Sequence, residues 1–251
     1  MPDAWRLAVG TLTAMPVGSP RHVDATVARR AMLLAPAAVL PLAALVVGVG
    51  TAGRMLGLPP LAVAVLAVGA LAAGSRALHW DGLSDVADGL TASYDRERSL
   101  AVMKTGTSGP AGVVAVVVVL GAQAAALAPL LASPRGALVA GAAVCVSRCA
   151  LAVTCARGVP AARRDGLGSA YTETVPVPAA ALSWAVGAAV LAGAATWAGL
   201  GIPRALLACA AAVVVVILLV RRTVRRFGGV TGDVFGAAIE LALATLLVGV
   251  A

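Results

Sequence analysis

Charge is scarce in this chain. Of its 251 residues 12% are charged and 3% aromatic, where an ordinary soluble domain carries about a quarter charged. With a mean hydropathy of +0.97, that scarcity excludes a soluble globular domain. Cysteine is sparse too: Cys145, Cys149, Cys155 and Cys209 have no CxxC spacing, which argues for apolar packing residues over a metal site or disulfide. The start, "MPDAWRLAVGTLTAMPVGSP", lacks a basic region ahead of a long apolar core, so a cleavable signal is not expected. No long polar linker, soluble domain or internal repeat is visible, and the last absence argues against an inverted-repeat transporter.

What the chain has is apolar length. Stretches near 31–53, 57–75, 110–132, 136–156, 178–199, 202–220 and 234–251 each approach the roughly 20 residues that span hydrocarbon as a helix. Strings such as "VVAVVVVLGAQAAALAPLL" lack the alternation of a barrel strand. The expectation is an all-α integral membrane protein of about seven transmembrane helices in a single polytopic domain, 1–251. Residues 1–30 form an N-terminal interfacial segment, whose Trp5, Leu7, Leu12 and Met15 either cover the site or anchor the chain, the anchor being the preferred reading, and 76–109 form an Asp-rich cytoplasmic loop or helix.

The few charges are sorted by side. Arg6, Arg21, Arg29, Arg30, Arg76, Arg96, Arg98, Lys104, Arg157, Arg163, Arg164, Arg221, Arg222, Arg225 and Arg226 fall in segments on one side of this topology. The opposite loops carry Arg54, Arg135 and Arg204, one each. Basic loops stay inside, so the N-terminus and the charged segments are expected at the cytoplasmic face of the cell membrane. The net charge of +8 is then explained by anionic lipid, with no nucleic-acid partner. The acids keep to the same side, except Glu240, which lies inside the last span as Arg148 lies inside the fourth. Ionisable groups at such depth are functional by default.

"HWDGLSDVADGL", residues 79–90, concentrates three of the eleven acids. Asp81, Asp85 and Asp88 recur at i, i+4 and i+7, one helical face, where like charges repel and no cation stands at i±3 or i±4. A polyvalent cation relieves that repulsion, and hard oxygen ligands favour Mg²⁺ or Mn²⁺, Mg²⁺ in particular being usually held by one or two carboxylates together with substrate phosphates. Three glycine-rich, basic turns share this side: "KTGTSGPAG" (104–112) with the only lysine, "ARRDGLGSAYTE" (162–173) and "RRFGGVTGDVFGA" (225–237). Such turns offer backbone N–H groups and positive charge to an anion. Together they point to transfer of a phosphoryl-linked group at the inner membrane surface.

The strings HxDGLxDxxDGL at 79–90, VMK…G…G at 102–112, RxxGLG at 163–168 and GGVTGDVxGA at 228–237 resemble the cobalamin synthase family, the adenosylcobinamide-GDP ribazoletransferases, over nearly the whole chain. The resemblance implies a late step of B12 assembly: adenosylcobinamide-GDP is joined to α-ribazole or its 5′-phosphate, GMP is released, and Mg²⁺ is required. It assigns metal and catalysis to Asp81, Asp85 and Asp88, with His79 as a base or an interfacial structural residue. Substrate contacts fall to Lys104 (phosphate), Arg163 (the GMP side), Gly166, Gly168, Gly229, Thr231, Gly232 and Asp233 (ribose or a second metal). The chain departs from the family pattern at Thr105-Gly106-Thr107 and Pro110-Ala111, so the loop's contacts beyond Lys104 are not carried over. A CDP-alcohol phosphotransferase shares only "DVADG" at 85–89, since no Ala-Arg or DxxxD follows. A cation transporter would need ionisable groups nearer the midplane and on both faces. The oligomeric state is open, a homo-oligomer included.

Overall fold

The computed structural model describes residues 2–163 and 166–251, with Leu167 described by its backbone alone. Arg164 and Asp165 of the 162–173 turn lie outside the described residues. Among those described, helices form the fold, and β-structure is limited to two isolated bridges, Ala156 with Val175 and Ala161 with Val230.

α1 (Asp3–Leu12) packs on α2 (Ala25–Ala38), which continues after a break into α3 (Leu40–Met55). Pro36 lies inside α2 and Pro41 opens α3; each removes a backbone donor, and they flank the break at Val39 within the 31-residue span Ala25–Met55. α7 (Pro110–Leu131), α8 (Pro134–Ser147) with α9 (Ala150–Thr154), α10 (Val177–Trp197), α11 (Ile202–Phe227) and α12 (Gly232–Val250) supply five further helices or helix pairs long and apolar enough to cross a membrane. α12 sits centrally, covered by α5, α7, α8, α9 and α11. The cysteines are free, and Cys149, Cys155 and Cys209 are buried, as packing residues should be.

The expected span 57–75 takes another form. α4 (Pro60–Gly74) is 15 residues long, about 22 Å of helix against about 30 Å of hydrocarbon. It bends by 92° into α5 (Leu78–Ala92), so α5 is no straight continuation; the described residues hold six spans, or seven, as expected, when this bent pair is counted as one. Arg76 and Ala77 form the elbow, both left-handed, with φ of 57° and 55°. Side chains rarely adopt that conformation without support. Support comes from Ala77 N–H donating to Ala72 O (2.7 Å), Ala14 N–H to Gly74 O (2.6 Å) and the Arg76 guanidinium to Gly10 O (2.7 Å). The N-terminal segment therefore braces the elbow as well as lying against the bundle.

Candidate active site

α5 carries the Asp-rich motif along α12. The two helices approach so closely at Gly82 that a Cβ there would stand 2.5 Å from the backbone oxygen of Asp233. This contact brings Asp233, from the last glycine-rich motif, beside Asp81 and Asp85. Asp85 is half-buried; burial, then the neighbouring Asp81, Asp233 and Asp88, pushes its carboxyl up to about 6. The expected crowding of negative charge is present, but one member differs from the sequence reading. Asp88 is buried, and each of its oxygens accepts a backbone N–H, from Gly109 (2.6 Å) and Gly112 (2.8 Å). It caps the start of α7, and Ser84 supports the same junction through Ser108 (3.2 Å). The glycines of "KTGTSGPAG" thus serve α5, and Asp88 has committed an oxygen to each of two amides.

The other two turns are bound to each other. Val230 N–H donates to Pro160 O (2.9 Å) and Ala162 N–H to Val230 O (2.9 Å). Gly229 permits this, because a Cβ there would lie 2.4 Å from Pro160 O. Arg163 follows directly and donates to Leu100 O of α6 (Arg96–Val102), while Arg96 donates to Ala162 O (2.9 Å). Gly168, in the 3₁₀ turn Leu167–Ala170, packs on the Thr231–Gly232 backbone where α12 begins. Thr231 donates to Asp233 Oδ2 (3.0 Å) and does not cap α12, whose first turn has no side-chain cap.

These contacts join three cavities into a chain. The first, about 350 Å³, is lined by Asp81, Asp233, His79, Arg76 and Tyr171, with Gly10, Thr11 and Leu12 of α1 as a further wall. The second, about 170 Å³, shares Gly232 and Asp233 and adds Thr231, Gly166, Gly168 and Arg163. The third, about 380 Å³, shares Arg163 and adds Lys104 and Glu97. Asp81 and Asp233 stand at one end with Arg76, and Arg163 and Lys104 at the other with Glu97. The expected anchor role of residues 1–30 is thus incomplete, since the end of α1 also shapes the first cavity.

Beneath the first cavity lies a polar cluster in an apolar bundle. His79 Nδ1 is 3.5 Å from Glu240 Oε1, and Gln123 Nε2 donates to Glu240 Oε2 (2.8 Å). Arg148, fully buried, donates to Val144 O (2.8 Å) and Ser147 Oγ (2.9 Å). The helices bearing Arg148 and Glu240 do touch, yet among the described residues the titratable side chain against the Glu240 carboxylate is His79. Gln123 was not singled out from sequence, although a lone amide within "VVVVLGAQAAALAPLL" is the kind of intramembrane polar group that marks an interhelical contact. Tyr171 had no comparable signal, whereas the α1 wall is the site-covering alternative for the N-terminal segment.

The family model described as "Cobalamin-5-phosphate synthase" matches residues 4–251. An adenosylcobinamide-GDP ribazoletransferase of Nocardioides sp. is 62% identical over 247 residues, 98% of this chain and 97% of the relative. Proteins of that name from Frankia casuarinae and Pseudomonas paraeruginosa are 41% and 40% identical, covering 97% and 84% of this chain and 92% and 84% of their own lengths. No solved structure matches. The motifs that meet around α5 and α12 are therefore set in a sequence related to these proteins from end to end, and the chain belongs to the cobalamin-5-phosphate synthase family.

Proposed function

We propose that this protein joins adenosylcobinamide-GDP to α-ribazole, or to its 5′-phosphate, at the cytoplasmic face of the cell membrane and releases GMP. The observation that carries the reading is the cavity chain, with Asp81 and Asp233 at one end and Arg163 and Lys104 at the other. A ribose hydroxyl oxygen of α-ribazole forms a bond to the phosphorus nearer cobinamide, the bond from that phosphorus to the GMP oxygen breaks, and the hydroxyl proton leaves. Lys104 and Arg163 hold the diphosphate, and the uncapped first turn of α12 adds N–H groups of positive potential. Asp81, exposed at the cavity that receives the nucleophile, can take its proton, whereas His79 lines the same cavity with both ring nitrogens buried. His79 Nε2 has no hydrogen-bond partner among the described residues.

The donor set fits Mg²⁺. Among the described residues no three His, Cys, Asp or Glu side chains stand close enough to hold a metal unaided. Mg²⁺ usually takes one or two carboxylates and completes its shell with substrate phosphate and water. Asp81, Asp85 and Asp233 are the carboxylates available, and Asp88 supports them from the α7 cap. The ion would neutralise charge on the diphosphate and the departing GMP.

Purified protein should release GMP from adenosylcobinamide-GDP plus α-ribazole in a Mg²⁺-dependent way and leave CDP-alcohol substrates untouched. Turnover of the latter pair alone would overturn the assignment. For orientation, cysteines are placed singly in a cysteine-free background. Tyr94→Cys, at a residue 95% exposed, should be shielded from an impermeant thiol reagent in whole cells, and Ser133→Cys should react.

A further inference from the structure

The basic end of α11, "RRTVRR", divides between two faces. Arg226 turns inward: it donates to Ser93 O, and its guanidinium lies 4.8 Å from the centre of the Tyr94 ring. Arg221 and Arg225, one helical turn apart, are exposed and line a separate cavity of about 400 Å³. Arg157 forms part of the facing wall. Its segment is held by Arg157 N–H donating to Val175 O (2.8 Å) and Val175 N–H to Cys155 O (3.0 Å). None of these three arginines has an ion pair or hydrogen-bonded side chain among the described residues. The cavity shares no lining residue with the three that hold Asp81, Asp233, Arg163 and Lys104.

The rest of the wall is apolar: α10 and α11 supply part of it, and Val153, Ala156 and Val159, at the end of α9 and just beyond it, supply the remainder. Ile217 and Val220 of α11 and Val177 of α10 continue from the arginines along the bundle. Three uncompensated guanidiniums demand an anion, while the valine and isoleucine surface beside them demands hydrocarbon. A soluble phosphate answers the first need and leaves the second unmet. A phospholipid answers both, because the change from Val220 to Arg221 lies at the end of a span, where headgroups begin.

We propose that Arg157, Arg221 and Arg225 bind the phosphate of an anionic phospholipid whose acyl chains lie against Ile217, Val220 and Val177. The site is separate from the reaction centre and does not depend on the activity assigned above.

Native mass spectrometry of the full chain in detergent, with dioleoyl phosphatidylglycerol or dioleoyl phosphatidylcholine added, reads the site directly. Wild type should retain one phosphatidylglycerol at an occupancy at least fivefold above that of an R157Q/R221Q/R225Q variant, and should retain phosphatidylcholine weakly. R29Q/R30Q, which removes two arginines elsewhere, should behave as wild type. If the triple variant does not purify as a single species, R157Q and R221Q are measured singly, each expected to lose two- to threefold. Equal retention of phosphatidylglycerol by wild type and the arginine variants overturns the proposal, as does equal retention of the two lipids. Release of the lipid by millimolar glycerol 3-phosphate overturns it in another way, by showing a site for soluble phosphate.

Discussion

Two helices in this bundle start from glycine-rich turns at the same end, and their N-termini meet different fates. At α7 the N–H groups of Gly109 and Gly112 are taken by the buried carboxylate of Asp88. At α12 the first turn has no side-chain cap, and Gly232 and Asp233 border two cavities. Both termini carry the positive potential of aligned peptide dipoles. In α7 an internal carboxylate neutralises it permanently and the turn becomes a structural joint. In α12 it remains available to a ligand. The same residue chemistry therefore makes a fastener in one place and a binding surface in the other, and the difference is whether an acid from α5 reaches it.

Removing charge at the open end should have the largest effect. Asp85→Asn should lower turnover by a hundredfold or more, about 3 kcal/mol of transition-state stabilisation, with no loss of thermal stability, because like-charge repulsion is relieved. Steady-state GMP release beside a thermal melt separates the two. Asp95→Asn is the control: Asp95 caps α6 by accepting from Arg98 N–H (2.7 Å), and asparagine caps a helix as well as aspartate does.

At the closed end the pattern should invert. Asp88→Ala strips the acceptors from two amides, at a cost of about 1–3 kcal/mol for each buried group left unsatisfied. The melting temperature should fall, and hydrogen exchange at Gly109 and Gly112 should accelerate. Wild-type stability in Asp88→Ala would make the joint dispensable and return Asp88 to the ligand set.

The contact that joins the two ends is probed by Gly82→Ala. Its methyl group meets Asp233 O at 2.5 Å, and forcing the helices apart should cost about 1–3 kcal/mol and reduce turnover roughly tenfold. Lys104→Met should have the mildest outcome, a several-fold rise in KM for the nucleotide substrate with kcat nearly unchanged, on the order of 1 kcal/mol of binding. A fall in kcat instead would place Lys104 in the transition state.

Much of this was legible in the sequence because membrane burial and charge leave one-dimensional traces. Apolar length revealed the spans, and the i, i+4, i+7 spacing put Asp81, Asp85 and Asp88 on one helix face, where they lie. The elbow at Arg76 and Ala77 was invisible, since neither residue favours a left-handed backbone and long-range bonds from α1 hold it there. Asp88 was grouped with its neighbours because spacing reports a shared face and cannot report which member meets another helix. Pairing of Glu240 with His79 was hidden for a related reason: it depends on α5 lying along α12, two helices far apart in the chain.

That same adjacency sets an order of events during synthesis. α5 is made early, yet its glycine face rests on α12, which leaves the ribosome only after four intervening spans have been inserted. Until then Asp88 can cap α7, but Gly82 has no α12 backbone to pack against, Asp81 and Asp85 lack their neighbour Asp233, and His79 waits for Glu240. A chain stalled before α12 would hold Asp81, Asp85, Lys104 and Arg163 without Asp233 and the backbone that brings them together, so closure of the candidate site is timed by the arrival of α12.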